Sequence, residues 1–167
     1  DVSDGLERPS GLTLDGRCHL YISDEGETGA ARIIRVHLPS GTIAKVWQSG
    51  QGVLLQPPAA TTDAQKAHLR GPHDVAVDEQ GEIHIADTYN HRIRSVDGDG
   101  KIRTLAGNGG LGYNGDVAAA TFLSLSSPRS VAVAPGRQIH VADTRHHSLR
   151  VVDLGIHEQV KILAGVG

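Results

Sequence analysis

A short pattern of residues occurs three times along this chain of 167 residues. Pro72–Asp78 reads PHDVAVD, and the related PRSVAVA follows 56 positions later at Pro128–Ala134. The same offset relates Ile83–Thr88 to Ile139–Thr144, and an earlier, more divergent copy begins at Pro9. A repeat of this length restricts the fold to architectures in which each copy is one supersecondary unit, because a single unit cannot bury its own apolar surface.

Each copy is predicted to form four short antiparallel strands. The second copy has runs rich in β-branched and other apolar residues at 73–78, 82–87, 91–96 and 101–106, separated by glycine-containing turns. The chain has 21 glycines, but only one Trp, three Tyr and one Phe, so its core is expected to consist of Val, Ile, Leu and Ala. Sheets that are apolar on both faces bury them by stacking, and radial stacking of four-stranded sheets is a β-propeller. The predicted fold is therefore all-β, with three four-stranded antiparallel blades.

The pattern resembles the NHL repeat, in which one copy forms one propeller blade. The second copy is the most similar, through Ala86–Thr88, Asn90–Ile93 and Leu105–Gly107, and the linker at 107–116 is similar to inter-blade segments of that family. The resemblance covers nearly the whole chain. It implies a single NHL-type propeller domain over 1–167, with blade 1 at about 9–50, blade 2 at about 72–107 and blade 3 at about 128–165.

Three blades are too few to close a ring, since closed propellers have about four to eight blades. Propellers of the resembling family commonly have six, so the chain is expected to be half of a six-bladed ring. Its two open blade faces, at roughly 300 Å² of footprint each from strand spacing and rise, exceed what a soluble monomer usually leaves bare. We therefore expect a two-fold homodimer in which first blades pack on third blades of the partner, unless the missing half of a longer chain covers the faces. The absence of methionine favours a cut or processed piece.

Charge and hydropathy argue against two classes of partner. The chain has 16 Lys and Arg against 19 Asp and Glu, a formal charge of −3, and its cations form no run. A nucleic-acid surface needs clustered cations, so we expect no nucleic-acid partner. No stretch approaches the roughly 18 apolar residues of a membrane span, so we expect no membrane partner. Cys18 is the single cysteine, which excludes an internal disulfide and a Cys-based zinc cluster.

The candidate ligand-binding residues are Ser10, His73 and Arg129, each of which follows the proline that opens an innermost strand. Innermost strands line the channel of a propeller, so these side chains are predicted to meet at its mouth. In a two-fold dimer each occurs twice, which makes the mouth polar and cationic.

The segment Pro72–Val75 also resembles the corresponding place in peptidyl-α-hydroxyglycine amidating lyases, relatives of this repeat family whose channel histidines bind zinc. This resemblance implies an alternative function, a metal-dependent lyase or hydrolase with a channel site at His73. A catalytic zinc normally has three protein ligands, whereas Ser10 and Arg129 occupy the other two matching positions. The favoured function is therefore a non-enzymatic scaffold that binds a protein, peptide or small ligand through its channel and rim loops. We expect no catalytic residue, no metal and no cofactor.

Other histidines have structural explanations. His84 and His140 align with Tyr21 in the second strand of each copy, where a flat side chain is predicted to pack between blades. His91 and His147 follow the loop after an aspartate, and we expect that aspartate to accept backbone N–H groups in an Asx-type turn.

Overall fold

The computed structural model describes residues 5–27, 30–48, 62–63, 68–115, 118–155 and 159–165, with 45–48 and 62–63 described by their backbone alone. Positions 49 and 50, predicted to end blade 1, lie outside the described residues. The strands are β1 (Pro9–Leu14), β2 (His19–Asp24), β3 (Arg32–His37), β4 (Thr42–Gln48), β5 (Thr62–Asp63), β6 (Pro72–Val77), β7 (Ile83–Asp87), β8 (Arg92–Val96), β9 (Lys101–Ala106), β10 (Ala118–Ala119), β11 (Pro128–Ala134), β12 (Gln138–Asp143), β13 (Ser148–Asp153) and β14 (Gln159–Gly165).

These strands form three antiparallel sheets, which confirms the predicted all-β architecture of propeller blades. Blade 1 has the order β1-β2-β3-β4, blade 2 the order β5-β9-β8-β7-β6, and blade 3 the order β10-β14-β13-β12-β11. In blades 2 and 3 a two-residue strand from the preceding linker pairs with the outer strand, as Thr62 does with Ile102 and Ala118 with Val160. The repeat pattern did not predict these fifth strands because they lie outside the repeated segment. Among the described residues, no helix is long and apolar enough to cross a membrane.

The blades stack face to face through two apolar cores. Between blades 1 and 2, Tyr21 and Ile33 pack with Val75, Ile85 and Ile102. The core between blades 2 and 3 includes Ala76, Ala86, Ile93, Leu105 and Ala106 of blade 2 and Val131, Ile139, Val141, Val152 and Val160 of blade 3. Stacking covers both faces of blade 2, whose β7 and β8 are buried along their entire length.

A buried aspartate at the end of β2, β7 and β12 binds the segment that leads into the inner strand of the same blade, β1, β6 or β11. Asp24, Asp87 and Asp143 are each 0% exposed. Their carboxylates accept the backbone N–H groups of Arg8, Arg70 and Ser126, at 2.7, 2.7 and 2.6 Å.

The same segment is held a second time through its carbonyl oxygens. The N–H groups of Glu25, Tyr89 and Arg145 donate to the carbonyls of residues 8, 70 and 126, at 3.1, 3.0 and 3.0 Å. This two-point attachment places the proline that opens each inner strand, which follows one residue later in blade 1 and two residues later in blades 2 and 3.

Hydrogen bonding and burial act in opposite directions on these carboxyl groups. Burial alone would raise the pKa of Asp24, but hydrogen bonds from the Arg8 N–H and the Arg32 guanidinium lower it below its usual value. For Asp87, burial prevails over the hydrogen bonds from Arg70 and Asn90 and raises the pKa to about 6.

Asp87 is therefore expected to make stability fall as the pH rises. A carboxyl group whose pKa is higher in the folded state contributes stability below its unfolded pKa, and that contribution is lost as the pH passes through the folded value. A rise from 3.8 to about 6 corresponds to about 3 kcal/mol. Urea unfolding from about pH 4 to about pH 7 should show wild type losing about this much relative to Asp87→Asn. Asp97→Asn, in an exposed turn, is the control, and a pH-independent difference would contradict the assignment.

The inner strands β1 and β6 approach so closely that only glycine fits at position 11. A Cβ atom there would lie 2.6 Å from the Asp74 Cα and 2.8 Å from the His73 carbonyl oxygen. Gly11→Ala should therefore lower the free energy of unfolding by about 2 kcal/mol through overpacking, measured by urea titration. Gly16→Ala, with nothing within 4 Å of the added Cβ, should change stability far less. Equal effects of the two substitutions would argue against this tight contact.

Candidate functional site

A β-bulge occurs at the same position in all three inner strands. In blade 1, Pro9 pairs with Asp24 and Gly11 with Ser23, which leaves Ser10 without a partner in the ladder. His73 and Arg129 are left out in the same way in blades 2 and 3. Bulges bend the strand and redirect the extra side chain, and they are common beside binding sites. The three residues selected from the sequence are thus equivalent bulge residues.

Hydrogen bonds between the inner strands hold the three bulges side by side. The Ser10 hydroxyl donates to the Pro72 carbonyl at 3.1 Å, immediately before His73. On the other side of β6, Asp74 Oδ2 accepts from the Ser130 hydroxyl at 2.6 Å and from the Val131 N–H at 3.0 Å. Because these contacts join neighbours of the bulge residues, Ser10, His73 and Arg129 occupy the same end of three adjacent strands.

His73 belongs to a polar cluster that the sequence did not indicate. Its Nδ1 lies 3.1 Å from Oε1 of Glu25, whose side chain is only 7% exposed. Arg8 Nη2 lies 3.2 Å from the other carboxylate oxygen, and Tyr89 packs edge-on against the imidazole at 5.9 Å between ring centroids. The Nε2 atom of His73 is buried without a hydrogen-bond partner in the described structure.

The added residues come from loops next to the buried aspartates. Glu25 directly follows Asp24, and Tyr89 comes two positions after Asp87. The attachment of the inner strand to the aspartate brings Glu25 and Tyr89 to the bulges. In the sequence, the one feature that could have identified them was their position just after the repeated aspartate. With Arg8 and Arg129 exposed and Glu25 buried, this end of the inner strands presents cationic groups suited to an anion.

A second polar cluster lies at the opposite end of blade 2. His84 is fully buried, with Nε2 3.4 Å from Oδ2 of Asp78 and Nδ1 3.3 Å from the Ser95 hydroxyl. Ser95 donates a short hydrogen bond to Oε1 of Glu82, which also lies 3.3 Å from Nη2 of Arg103. Burial lowers the pKa of His84 and outweighs the attraction of the Glu82 and Asp78 carboxylates. His84 thus lies between blades as predicted, whereas its counterpart His140 is half-buried on the open side of blade 3.

His91 and His147 close the loop after each aspartate. Both follow a short 3₁₀ turn and adopt left-handed backbone angles, with φ of 55° and 51°. Neither aspartate caps its own turn with its side chain, so the expected Asx-type turn is wrong. The carboxylates instead bind the segment leading into the inner strand, because they point into the blade.

Two segments of the chain match the sequence profile of the NHL repeat, residues 69–94 and 125–152. The chain is 28% identical over 170 residues to NHL repeat-containing protein 2 of Gallus gallus, covering 96% of this chain and 22% of that protein. It is 36% identical over 97 residues to the Arabidopsis thaliana protein SUPPRESSOR OF QUENCHING 1, chloroplastic, covering 57% of this chain and 9% of that protein. The chain therefore spans less than a quarter of these relatives.

Solved propeller structures show the same fold at low sequence identity. A chain of the nidogen–laminin complex aligns with a TM-score of 0.65 at 18% identity, covering 98% of this chain and 48% of that one. A gluconolactonase from Xanthomonas campestris aligns with a TM-score of 0.62 at 19% identity, covering 97% of this chain and 49% of that one. Residues 69–94 and 125–152 are thus NHL repeats, and the three stacked antiparallel sheets together with these matches show a β-propeller fold.

Proposed function

We propose that this protein is a non-enzymatic NHL-repeat scaffold that closes a six-bladed ring with a second copy and binds an anionic group of a protein, peptide or small ligand at the channel mouth. The observation that carries the binding role is the set of aligned bulges at Ser10, His73 and Arg129. The three blades form one half of the ring, and their two open faces support the dimer.

The open face of blade 3 repeats the face of blade 2 that is already covered. Four residues lie on this open side of blade 3. They form two cross-strand pairs, Ala132 with His140 and Ala142 with Leu149. They stand 56 positions after Ala76, His84, Ala86 and Ile93, which contribute to the junction of blade 2 with blade 3. The open face is thus built to receive another blade.

The open face of blade 1 repeats the other half of that junction. Leu12, Leu14, Leu20 and Ile22 stand 119 positions before Val131, Val133, Ile139 and Val141, which blade 3 packs against blade 2. Leu12 and Leu14 are 70% and 59% exposed. The two open faces therefore match the two sides of an interface that the chain already contains.

A second copy can satisfy both faces at once. Blade 1 of each chain would cover blade 3 of its partner, which makes two equivalent junctions related by a two-fold axis. Four faces of roughly 300 Å² each from strand dimensions give about 1,200 Å², the lower end of the range for stable specific interfaces.

The mass in solution tests ring closure. Sedimentation equilibrium at micromolar concentration should give twice the chain mass of 17.6 kDa. Leu12→Arg should weaken the dimer by roughly 100-fold or more, because it buries an unpaired charge in an apolar junction.

Leu111→Arg is the matched control, because Leu111 is 62% exposed but lies on the linker between blades 2 and 3. This variant should stay dimeric. A folded wild-type monomer, or equal loss of mass in both variants, would contradict closure by a second copy. A monomer whose open faces bind further blades of a longer chain would show that those blades, and not a second copy, cover the faces.

Charge at the channel mouth indicates the ligand. Arg129 and Arg8 present guanidinium groups there, and a dimer would carry each twice. Guanidinium groups bind carboxylates and phosphates through charge-assisted, often bidentate hydrogen bonds. The similar fold in the nidogen–laminin complex belongs to a protein assembly, which agrees with a scaffold role.

A labelled hexaglutamate peptide is a suitable probe for this site. Fluorescence anisotropy should show binding that weakens with added NaCl, because exposed charges are screened. Arg129→Gln should reduce affinity by roughly tenfold, the loss of one charge-assisted contact. Arg137→Gln is the control, because Arg137 lies in the exposed turn at the other end of blade 3. No binding, or equal losses in the two variants, would contradict the proposed site.

A metal-dependent lyase or hydrolase is the second candidate, favoured by the pairing of His73 with Glu25. A carboxylate bound to one imidazole nitrogen commonly orients the other nitrogen toward a metal, and Nε2 of His73 is free in the described structure. Ser10 and Arg129 at the equivalent bulges do not complete a three-ligand catalytic zinc site. Lactone or hydroxyglycine-peptide turnover that is lost in His73→Asn would replace the scaffold proposal with this one.

A further inference from the structure

The turn between β6 and β7 brings together one imidazole and two carboxylates. Asp78, Glu82 and His84 each offer a ligand atom, and these atoms all lie within 4.8 Å of one another. The cluster lies at the other end of blade 2 from the channel-mouth residues and is independent of the proposed function.

One oxygen of each carboxylate is already engaged, which leaves the other available. Asp78 Oδ1 accepts the backbone N–H groups of Gln80 at 3.0 Å and Glu82 at 2.8 Å, while Oδ2 faces His84. Glu82 Oε1 accepts from Arg103 and from Ser95, whereas no described residue donates a hydrogen bond to Oε2. Outer hydrogen bonds of this kind orient metal-binding carboxylates.

The hydrogen bonds also assign the proton of the neutral His84 imidazole. Ser95 has one hydroxyl hydrogen, and Glu82 receives it, so the Ser95 oxygen can only accept from Nδ1 of His84. Nε2 then carries a lone pair that faces Asp78 Oδ2 across 3.4 Å inside the protein. Two acceptors that face each other are unfavourable, and a cation between them removes the repulsion.

We propose that Asp78 Oδ2, Glu82 Oε2 and His84 Nε2 bind a divalent transition-metal ion, with Zn²⁺ as the best fit. Zinc binds imidazole nitrogen and carboxylate oxygen at about 2.0–2.2 Å in tetrahedral geometry, which separates two ligands by about 3.3 Å. The observed 3.4 Å between Oδ2 and Nε2 matches this separation. Imidazole disfavours Mg²⁺ and Ca²⁺, which take oxygen ligands.

Two clefts beside the turn reach the Asp78 member of this site. Asp78 lines a cavity of about 260 Å³ between blades 2 and 3 and another of about 530 Å³ between blades 1 and 2. A bound ion would thus retain a position for water and have a route of exchange.

The other two blades lack this combination at the equivalent positions. Blade 1 has Asp15, His19 and Tyr21, and the Tyr21 hydroxyl donates to Asp15 Oδ2 at 3.4 Å. A donor thus satisfies the oxygen that in blade 2 faces a lone pair. In blade 3 the equivalent positions are Ala134, Gln138 and His140, which provide no carboxylate. The proposed site therefore belongs to blade 2.

Zinc titration of the metal-free, untagged chain tests the proposal. Calorimetry should show one Zn²⁺ per chain at the site, and Co²⁺ in its place should give the visible absorption of a tetrahedral ion. His84→Tyr, which introduces the blade 1 residue, should weaken Zn²⁺ binding at least tenfold. His140→Tyr makes the same change in blade 3, where Ala134 and Gln138 stand in place of the two carboxylates, and His73→Asn removes the channel imidazole. Both should leave the affinity unchanged.

Asp78→Asn separates a metal role from a structural one. The amide oxygen can keep both turn hydrogen bonds, and its NH₂ group can donate to Nε2 of His84. This variant should lose Zn²⁺ binding, while the metal-free protein melts at the wild-type temperature or above. Zn²⁺ should raise the melting temperature of wild type but not of this variant. No binding by wild type at millimolar Zn²⁺, or unchanged binding in Asp78→Asn and His84→Tyr, would overturn the proposal.

Discussion

The structure depends on three buried carboxylates, Asp24, Asp87 and Asp143, which hold the start of each blade against its second strand. Each accepts a backbone N–H from the segment before the inner strand. An ionised group in an apolar interior is costly unless it is fully hydrogen-bonded, so the geometry around it is closely defined. The proline and the bulge that follow in each blade therefore start from the same place, and the three blades have a common shape.

That common shape produces the candidate site. Because the bulges fall at equivalent positions, Ser10, His73 and Arg129 are brought to one end of the inner strands. The loop after each aspartate passes the same place, and it contributes Glu25 and Tyr89 to the surroundings of His73. The three blades thus provide equivalent backbone positions, but each position carries a different side chain, so the site itself is not symmetric.

Repetition also explains why the two outer faces of the stack are apolar. The junction of blades 2 and 3 is made by one face of blade 2, with Ala76, Ala86 and Ile93, and the opposite face of blade 3, with Val131, Ile139 and Val141. The same two surfaces remain open on blades 3 and 1, where Leu12 is 70% exposed. Burial of such surfaces is the main favourable term in folding and association, and it is what a second copy would supply.

The sequence by itself determined the all-β repeat, its strands and the selection of Ser10, His73 and Arg129, because alternating apolar residues and glycine turns are local signals. Even the burial of His84 between blades followed from its alignment with Tyr21.

The structure alone decided what surrounds these residues. Glu25 and His73 are 48 positions apart and meet through the attachment of each inner strand. The proton position on His84 likewise follows from Ser95, in β8, and Glu82, in the turn before β7. Such contacts depend on register and bulges across separate segments, and no local pattern in the chain encodes them.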